Sequence, residues 1–354
     1  MKIRKAILTG GGRATRLHPI TTTINKHLLP LANKPMIFHA IEKAVEAGIT
    51  EIFINTNPGE TELQKHVGDG GHWGVKITFF EQTGGPLGIA HAVNEAHKFI
   101  GNDPVLFYLS DNILLGKLTD MVDDFSLGNY DCMLALCQVP DPERFGVPYF
   151  NDAGTLIDVV EKPKDPPNNF AVTGLYLYGP KVFFDAFQHI EKSPRGEYEI
   201  SSIHSYFLKN NYRVGYKEIT GWWKDTGKPD DLLLANELLL KEMPESTWTH
   251  SGRVRIGEGT RIGDNVSFVG PVVVGASCVL ERCTIGPHVS IGDGVAISGA
   301  NVENSIILNH ATVSGNIRIT GGLIGRHATV TQKNFSSIPL SVRMIFGDKT
   351  VFEC

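Results

Sequence analysis

The chain has 354 residues, of which 42% are hydrophobic and 20% are charged, and its formal net charge is −5. Since one hydrophobic core rarely organises a chain of this length, we expect two domains. The negative charge argues against a dedicated nucleic-acid binder, because binding to a phosphate backbone needs a basic surface. No apolar stretch reaches the roughly 18 residues of a membrane span.

Up to about residue 240, short apolar runs alternate with amphipathic segments. The predicted elements are a strand at 6–8, a helix at 35–47, a strand at 51–55, a helix at 61–67, a strand at 76–80, a helix at 89–99 and a buried strand at 105–109. This alternation predicts an α/β domain of Rossmann-like type, with a mixed, mostly parallel sheet and helices on both faces. In such sheets, ligands bind beyond the carboxyl ends of the strands.

The pattern changes near residue 243. From Val254 onward an apolar residue, often followed by glycine, recurs every six positions with one slip of register, at Ile256, Ile262, Phe268, Val274, Leu280, Ile285, Ile291 and Ile297. A hexapeptide period is typical of a left-handed parallel β-helix, in which each unit forms one face of a triangular coil. We predict a catalytic domain at 1–243 and a β-helix at 244–354, with a cap or interface arm over 335–354. Its flat faces favour a homo-oligomer.

The cysteines and the first residues bear on the compartment. The five cysteines form no CxxC pair, so we expect free, buried thiols rather than a zinc site or disulfides. The first residues run directly into a strand, without the apolar run and cleavage site of a signal peptide. We therefore expect a cytoplasmic protein without a membrane partner.

A glycine-rich turn follows the first predicted strand. Gly10, Gly11 and Gly12 let backbone N–H groups approach a polyphosphate, and Arg16 offers a bidentate fork for phosphate oxygens. The turn is neither a Walker P-loop, because no Gly-Lys-Ser/Thr follows, nor a good dinucleotide fingerprint. By itself it is as consistent with a structural turn as with a phosphate site.

Further motifs, in order along the chain, place this turn in a pattern. They are GGRATRLHP at 11–19, KHLLP at 26–30, LSDN at 109–112, PERFGV at 142–147, EKP at 161–163, VTGLY at 172–176, RGE at 195–197 and WKDTG at 223–227. Together they resemble the signature of sugar-1-phosphate nucleotidyltransferases. Within that family the pattern looks most like the glucose-1-phosphate thymidylyltransferases, and the added β-helix is similar to that of the longer members.

The resemblance implies a reaction and a set of site residues. A nucleoside triphosphate, dTTP in the first place, would react with a sugar 1-phosphate, glucose 1-phosphate in the first place, and release pyrophosphate. The implied catalytic residues are Arg16, Lys26 and Lys162. The implied nucleotide contacts are Gly11, Gly12, Thr15, Gln82, Gly88 and Asp111, and the implied sugar-phosphate contacts are Gly146, Glu161, Lys162, Gly174 and Trp223. Asp111 and Asp225 would hold Mg²⁺, which prefers hard oxygen ligands.

The chain also departs from the family's pattern. Ala14 and Ser110 stand where the family has glycine, His27 replaces a glutamine, Phe145 replaces a tyrosine, and the loop at 82–88 is one residue longer. The choice of base and sugar therefore stays open, with UTP or another nucleotide and another sugar phosphate as alternatives. Two other readings are an added acetyltransferase activity in the β-helix, with His288, His310 and His327 as candidate bases, and a silent assembly subunit.

Overall fold

The computed structural model describes residues 2–12, 14–333 and 340–353. It divides into two compact units: the sheet unit, residues 1–12 and 37–224, and the β-helix unit, residues 13–36 and 225–354. The second unit thus includes a segment from the first motif as well as the repeats. The boundary predicted at 243/244, between a catalytic domain and a repeat domain, stays a prediction.

The four strands predicted at 6–8, 51–55, 76–80 and 105–109 are present, and nine further strands accompany them up to residue 225. In chain order they are β1 (Lys5–Thr9), β2 (Pro30–Leu31), β3 (Lys34–Pro35), β4 (Glu51–Thr56), β5 (Lys76–Glu81), β6 (Val105–Tyr108), β7 (Asn112–Leu114), β8 (Cys132–Gln138), β9 (Gly146–Phe150), β10 (Leu156–Glu161), β11 (Phe170–Tyr178), β12 (Val214–Glu218) and β13 (Trp223–Asp225).

Helices separate these strands, as the alternating pattern predicts. They are α1 (Met36–Glu46), α2 (Glu62–Val67), α3 (Ile89–Glu95), α4 (His97–Ile100), α5 (Thr119–Gly128), α6 (Val182–Phe187), α7 (Ile200–Lys209) and α8 (Pro229–Glu242). The helix predicted at 89–99 is divided at Ala96 into α3 and α4. In α1, buried Ile37, Ala40, Ile41 and Ala44 follow the helical period and form one apolar face.

The sheet unit has a mixed sheet with a parallel centre. Its strand order is β10-β9-β11-β6-β1-β4-β5, and β8 pairs with β11 and β12. Strands β6, β1, β4 and β5 are parallel, and β11 runs antiparallel to β6. The predicted α/β class is confirmed. Because β1, β4 and β5 are parallel neighbours, their carboxyl ends meet at one edge, where the glycine-rich turn begins.

The sheet unit has a large apolar core. Phe107, Tyr178 and Phe207 are among its fully buried side chains. All residues of β6 are buried, since the strand lies between β1 and β11 and the layers cover both of its faces. The described cysteines, Cys132, Cys137, Cys278 and Cys283, are free and buried, as expected. Cys354 lies outside the described residues.

The C-terminal repeats form the predicted left-handed parallel β-helix. Its strands are β14 (Val254–Ile256), β15 (Arg261–Ile262), β16 (Ser267–Phe268), β17 (Val272–Val274), β18 (Val279–Glu281), β19 (Thr284–Ile285), β20 (Val289–Ile291), β21 (Ala296–Ser298), β22 (Asn301–Glu303), β23 (Ile306–Ile307), β24 (Thr312–Ser314), β25 (Ile317–Thr320), β26 (Leu323–Ile324), β27 (Thr329–Thr331), β28 (Leu340–Val342), β29 (Ile345–Phe346) and β30 (Val351–Glu353).

These strands stack into three parallel faces, with orders β14-β17-β20-β23-β26-β29, β15-β18-β21-β24-β27-β30 and β16-β19-β22-β25-β28. Repeat residues such as Leu280, Ile285 and Ile291 are fully buried, as the period predicts. Ile262 is 45% exposed, because β15 is the first strand of its face and packs against a coil on one side only.

The end of the chain continues this stack. Of the segment predicted as a cap or arm, 335–339 and 354 lie outside the described residues. Strands β28, β29 and β30 pair with β25, β26 and β27, so the described tail adds a last coil to the β-helix. In the described part of the chain, no helix is both long and apolar enough to cross a membrane.

Candidate active site

Two asparagines hold the glycine-rich turn in the sheet unit. The Gly10 N–H donates to Asn55 Oδ1 at 3.2 Å, and the Gly12 N–H donates to Asn57 Oδ1 at 3.0 Å. Only glycine fits at position 10, since a Cβ there would lie 2.7 Å from the Asn55 carbonyl oxygen. Gly12 has a φ of 118° and is exposed. Asn55 and Asn57 therefore fix the turn after β1, and Gly12 faces solvent.

The loop predicted to contact the base lies beside this turn. Gln82 directly follows β5, and its Oε1 accepts a hydrogen bond from Asn55 Nδ2 at 3.2 Å. Gln82 Nε2 donates to the Gly85 carbonyl at 3.2 Å. At the end of the loop, Gly88 has a φ of 98°, and a Cβ there would lie 2.6 Å from the Tyr198 carbonyl. Both ends of the loop are thus fixed by the protein.

The second residue of this loop, Thr83, is held by one carboxylate on α3. The Thr83 N–H donates to the two Glu95 oxygens at 3.0 and 3.1 Å, and the Thr83 hydroxyl donates to Glu95 as well. His91, one turn earlier, has Nδ1 3.8 Å from Glu95 Oε2. Glu95 is therefore an anchor of the loop, which sequence reasoning did not identify.

Asp111 lies just beyond the carboxyl end of β6, as predicted. Its Oδ1 accepts a hydrogen bond from Asn112 Nδ2 at 3.0 Å. Asn112 is 3% exposed, and its own Oδ1 accepts from the Gly174 N–H at 2.9 Å and from Trp223 Nε1 at 2.8 Å. Burial, and then the charge of Asp111, raise the pKa of Tyr108. Asn112 thus positions the predicted metal ligand.

The two glycines predicted to lie against the sugar differ in what surrounds them. A Cβ at Gly174 would lie 2.6 Å from Leu109 Cβ and 2.8 Å from Asn112 Oδ1, so packing of the protein alone requires glycine there. A Cβ at Gly146 would be 3.6 Å from Glu161 Oε2 and from Val159, which is an ordinary contact. Packing of the protein alone therefore does not require glycine at position 146.

A group of charged residues lies beside Gly146. Lys162 Nζ donates to Glu161 Oε1 at 2.8 Å, and Lys162 adopts a left-handed φ of 46°. Arg195 Nη2 lies 3.9 Å from the same Glu161 oxygen and donates to Glu199 Oε2 at 2.8 Å. This hydrogen bond with Glu199 raises the pKa of Arg195. Glu161 and Lys162 thus form an ion pair, and Arg195 lies beside them.

Trp223 and Phe145 form an aromatic pair in the sheet unit. Their ring centroids are 5.2 Å apart in an edge-to-face arrangement, and Trp223 is only 8% exposed. The indole N–H, which is the only polar group of a tryptophan, donates to Asn112. Any contact of Trp223 with a sugar would therefore use its ring rather than this N–H.

The first motif continues in the β-helix unit. Thr15 and Arg16 are exposed in a short 3₁₀ turn, Thr15–Leu17, and the preceding Ala14 has φ 45° and ψ 36°. This left-handed conformation explains the family's glycine at that position, since an alanine there carries strain. A Cβ at Gly227 would lie 3.1 Å from both Arg16 Nη2 and Asp225 Oδ2. Arg16 and Asp225 thus meet at Gly227.

Lys26 begins a second 3₁₀ turn, Lys26–Leu28, in the same unit. Asn25 caps the turn by accepting the His27 N–H at 2.8 Å, and His27 is 3% exposed. Leu28 and Leu29 are buried, so the apolar pair fixes the backbone from which the half-buried Lys26 side chain extends. His27, the departure from the family's glutamine, points into the protein interior and fills a structural position.

Coils of the β-helix hold this segment. Arg326 Nη2 donates to the Thr23 carbonyl at 3.1 Å, and the Thr23 hydroxyl donates to Asp348 Oδ2 at 2.8 Å. Arg326 Nε and N–H both donate to Asp348 at 2.7 Å. Further along, Asn33 Nδ2 donates to the Ile291 carbonyl at 2.6 Å. The segment that carries Arg16 and Lys26 is therefore tied to the repeats.

The candidate histidines of the β-helix occupy corner positions. His288, His310 and His327 have φ values of 58–61°, and the rings of His310 and His327 stack with centroids 5.0 Å apart. His288 Nδ1 lies 3.9 Å from Glu237 Oε1. The stacking gives His310 and His327 a structural contact between coils, and the acetyltransferase activity stays a hypothesis.

Comparison with known proteins places the chain. The Nucleotidyl transferase family profile matches residues 5–242. The chain belongs to this family. It is 37% identical to the low-salt glycan biosynthesis nucleotidyltransferase Agl11 of Haloferax volcanii, over 98% of this chain and 99% of that protein. It is 38% identical to a glucose-1-phosphate thymidylyltransferase of Streptomyces antibioticus, over 99% of each chain.

A solved structure agrees with this membership. A Bacillus anthracis protein described as a glucose-1-phosphate thymidylyltransferase, in complex with a sucrose, is 37% identical and superposes with a TM-score of 0.63. It covers 68% of this chain, and the match covers 96% of that protein. The chain is thus a nucleotidyltransferase with a sequence similarity that extends, in the longer relatives, through the β-helix.

Several residues that shape this nucleotidyltransferase site were missed by sequence reasoning. Asn55 and Asn57 end or follow β4, the parallel neighbour of β1, and a polar residue at that position is a signal for a site at the sheet's edge. Asn112 and Arg195 lie inside the quoted motifs but were given no role. Glu95 has no such signal, because a single carboxylate on a helix is usually solvated.

Proposed function

We propose that this enzyme transfers a thymidylyl group from dTTP to glucose 1-phosphate, giving a nucleotide sugar and pyrophosphate. The similarity to the Streptomyces antibioticus glucose-1-phosphate thymidylyltransferase over 99% of both chains supports this choice of substrates. A nucleotide and a sugar 1-phosphate are also the substrates that the motifs imply. A homo-oligomer through the β-helix and a cytoplasmic location stay predictions.

The surroundings of Gly146 are the observation that carries the sugar site. Its φ is not in the left-handed region, and no protein atom lies closer than 3.6 Å to a Cβ built there. Neither backbone strain nor packing therefore requires glycine. A ligand beside Glu161 would require it, because a methyl group would take the room of a sugar ring. Glu161 would accept hydrogen bonds from the sugar hydroxyls.

Each predicted residue has a role in this proposal. Gly11, Gly12, Thr15, Gln82, Gly88 and Asp111 bind the nucleotide, and Gly146, Glu161, Lys162, Gly174 and Trp223 bind the sugar phosphate. Arg16 and Lys26 bind the triphosphate, and Lys162 binds the phosphate of the sugar. Arg195, which lies 3.9 Å from Glu161, supports the orientation of that carboxylate.

The reaction is an in-line displacement at the α-phosphorus. A phosphate oxygen of the sugar 1-phosphate attacks, the bond to the β-phosphate oxygen breaks, and pyrophosphate leaves with the electron pair. The nucleophile is already anionic, so a general base is not needed. At about 4 Å, two such charges repel by roughly 4 kcal/mol in an effective dielectric near 20. Arg16, Lys26 and Lys162 offset this repulsion and orient the two substrates.

The acidic residues fit Mg²⁺. The described residues contain no group of three or more His, Cys, Asp or Glu side chains arranged to hold a metal. Mg²⁺ needs no such cage, since it is usually bound by one or two carboxylates together with phosphate oxygens. Asp111 and Asp225, the two ligands that the motifs imply, would hold it. When bound, the ion neutralises charge on the phosphates.

Pyrophosphate release, measured across a panel of nucleotides and sugar phosphates, tests the proposal. We expect the highest kcat/KM with dTTP and glucose 1-phosphate. Asp111→Asn should lower turnover by about 100-fold or more, as expected for loss of a charged group that acts on the transition state. Asp152→Asn, in an exposed turn, is the matched control. Full activity of Asp111→Asn, or no turnover of any sugar 1-phosphate, would contradict the proposal.

A further inference from the structure

A chain of hydrogen bonds joins the glycine-rich turn to Gln82. It begins at the backbone N–H of Gly10, which donates to Asn55 Oδ1 at 3.2 Å. It continues from Asn55 Nδ2 to Gln82 Oε1 at 3.2 Å and from Gln82 Nε2 to the Gly85 carbonyl at 3.2 Å. The two outer partners are backbone groups of fixed character, a donor at one end and an acceptor at the other.

These fixed ends determine how both amides are oriented. An N–H can only donate, so the oxygen of Asn55 must face Gly10 and its NH₂ group must face Gln82. Gln82 must then present its oxygen to Asn55 and its NH₂ group to the Gly85 carbonyl. The reverse orientation of Gln82 would oppose two NH₂ groups at one end and two oxygens at the other. The orientation of the Gln82 amide is therefore set by Asn55.

The position of Asn55 suits this role. It is 3% exposed, and in the sheet it pairs with Thr9 of β1 on one side and Phe80 of β5 on the other. Its side chain therefore lies between the turn that follows β1 and the residue that follows β5. A buried side chain with both ends hydrogen-bonded has little freedom to rotate, so the orientation is held before a ligand binds.

The orientation of an amide decides which pyrimidine it complements. Thymine presents an acceptor at C4 and a donor at N3, whereas cytosine presents a donor at C4 and an acceptor at N3. A glutamine amide pairs with either pattern if it turns over, but a fixed one pairs with only one of them. Among the described residues, Gln82 makes one hydrogen bond through each polar atom, so a second lone pair and a second N–H are left for a base.

We propose that Asn55 is a specificity-determining residue, which fixes the Gln82 amide so that it accepts a keto pyrimidine and rejects an amino pyrimidine. Asn55 acts through Gln82 and is a positioning residue rather than a catalytic one. The inference rests on the proposed role of Gln82 as a base contact. It explains how this enzyme discriminates thymine or uracil from cytosine, and leaves the thymine methyl group to other contacts.

Asn55→Asp tests the inference because it keeps the shape and the acceptor for Gly10 but removes the donor that faces Gln82. The carboxylate attracts the Gln82 NH₂ group and turns the amide over. We expect the ratio of kcat/KM for dTTP to that for dCTP to fall at least tenfold. The added charge near the phosphates lowers both values, so the ratio is the informative quantity. Asn55→Ser, too short to reach Gln82, should also lower the ratio.

Asn57→Asp is the matched control. Asn57 holds Gly12 through hydrogen bonds of 3.0 and 3.3 Å and also donates to Glu60 at 3.1 Å, but among the described residues no hydrogen bond joins it to Gln82. It should lower kcat/KM for both nucleotides by the same factor and leave their ratio unchanged. An equal fall of the ratio in Asn57→Asp and Asn55→Asp would overturn the inference, because it would assign the effect to charge near the phosphates.

Gln82→Ala separates the inference from the proposed function. If Gln82→Ala lowers the ratio and the two Asn55 variants, folded by circular dichroism, do not, the orientation argument is wrong and the base contact stands. If Gln82→Ala leaves the ratio unchanged, Gln82 does not contact the base, and both fail. A ratio near one in the unmodified enzyme would contradict the choice of dTTP itself.

Discussion

Two buried asparagines hold backbone N–H groups before and after the first motif in similar ways. They are Asn55 in the sheet unit and Asn236 in the β-helix unit. Asn55 accepts the Gly10 N–H at 3.2 Å, and Asn236, which is fully buried, accepts the Ala32 N–H at 2.9 Å. They differ at the amide nitrogen. Asn55 donates to Gln82, whereas Asn236 Nδ2 has no hydrogen-bond partner in the described residues.

The difference at the amide nitrogen distinguishes a residue that we propose to orient a base contact from one that connects structural elements. The Asn236 oxygen accepts a second hydrogen bond, from the Ser290 hydroxyl at 2.7 Å, and so joins the β2–β3 hairpin to a β-helix coil. Ala32 also packs beside Leu240 and Val273 in a small apolar cluster. Asn236 therefore connects structural elements, whereas Asn55 connects a structural element to a residue that we propose to contact the base.

The largest effect that tests this comparison is the loss of Asn236. Asn236→Leu, similar in volume, leaves the buried Ala32 N–H and the Ser290 hydroxyl without their acceptor. At about 1 to 3 kcal/mol for each unsatisfied group, we expect the unfolding free energy, measured by urea denaturation, to fall by about 3 kcal/mol. The dTTP-to-dCTP ratio should stay unchanged, because no hydrogen bond connects Asn236 to Gln82 in the described residues.

Ser290→Ala serves as the control for this variant. It removes one of the two hydrogen bonds and leaves the Ala32 bond intact, so the expected loss is about 1 kcal/mol. The comparison between the two asparagines breaks down if Asn236→Leu changes nucleotide selectivity as strongly as Asn55→Asp does.

His204 is another buried polar side chain, and we expect it to affect stability but not nucleotide selectivity. It is fully buried, and its Nε2 lies 2.9 Å from the Tyr178 hydroxyl. Burial lowers its pKa to about 3, below the value of about 6.5 of an unfolded chain. Between these values the unfolded state binds a proton that the folded state does not, so stability falls as the pH falls from 6.5 toward 3.

The pH dependence of unfolding measures this effect. From pH 8 to pH 5, we expect His204 to account for about 2 kcal/mol of lost unfolding free energy, at about 1.4 kcal/mol for each pH unit below 6.5. His204→Gln should remove this part of the slope, and His66→Gln, at an exposed position on α2, should retain it. A slope that His204→Gln leaves unaltered would show that the buried ring does not control the acid sensitivity.

The sequence predicted what is periodic or belongs to a motif. The alternation of apolar runs gave the parallel centre of the sheet, and the hexapeptide period gave the β-helix, because each pattern follows from local geometry. The motifs also predicted that Asp111 follows a strand, and the structure puts Asp111 just beyond β6. The role of each motif residue stays a prediction until it is tested.

What the sequence did not reveal depends on long-range hydrogen bonds. Asn55 is 45 residues from Gly10, Asn236 is 204 residues from Ala32, and Arg326 is 303 residues from Thr23. A single asparagine or arginine has no periodic signal that identifies its partner. For the same reason, the sequence does not reveal that residues 13–36 group with the β-helix. The first motif continues along the chain from Gly10 without a break.

The smallest expected effect concerns Ala14, whose left-handed φ of 45° costs about 1 kcal/mol relative to a relaxed alanine. Ala14→Gly removes this strain but makes the unfolded chain more flexible, which costs about 0.4 to 1 kcal/mol. We therefore expect the unfolding free energy to change by less than about 1 kcal/mol.

The KM for dTTP should change as well, since Ala14 begins the turn that carries Arg16. Asn265→Gly, with a similar φ of 55° at an exposed turn of the β-helix, should leave that KM unchanged. If Ala14→Gly and Asn265→Gly both leave the KM unchanged, the backbone at Ala14 does not position Arg16, and the alanine is a neutral departure from the family's glycine.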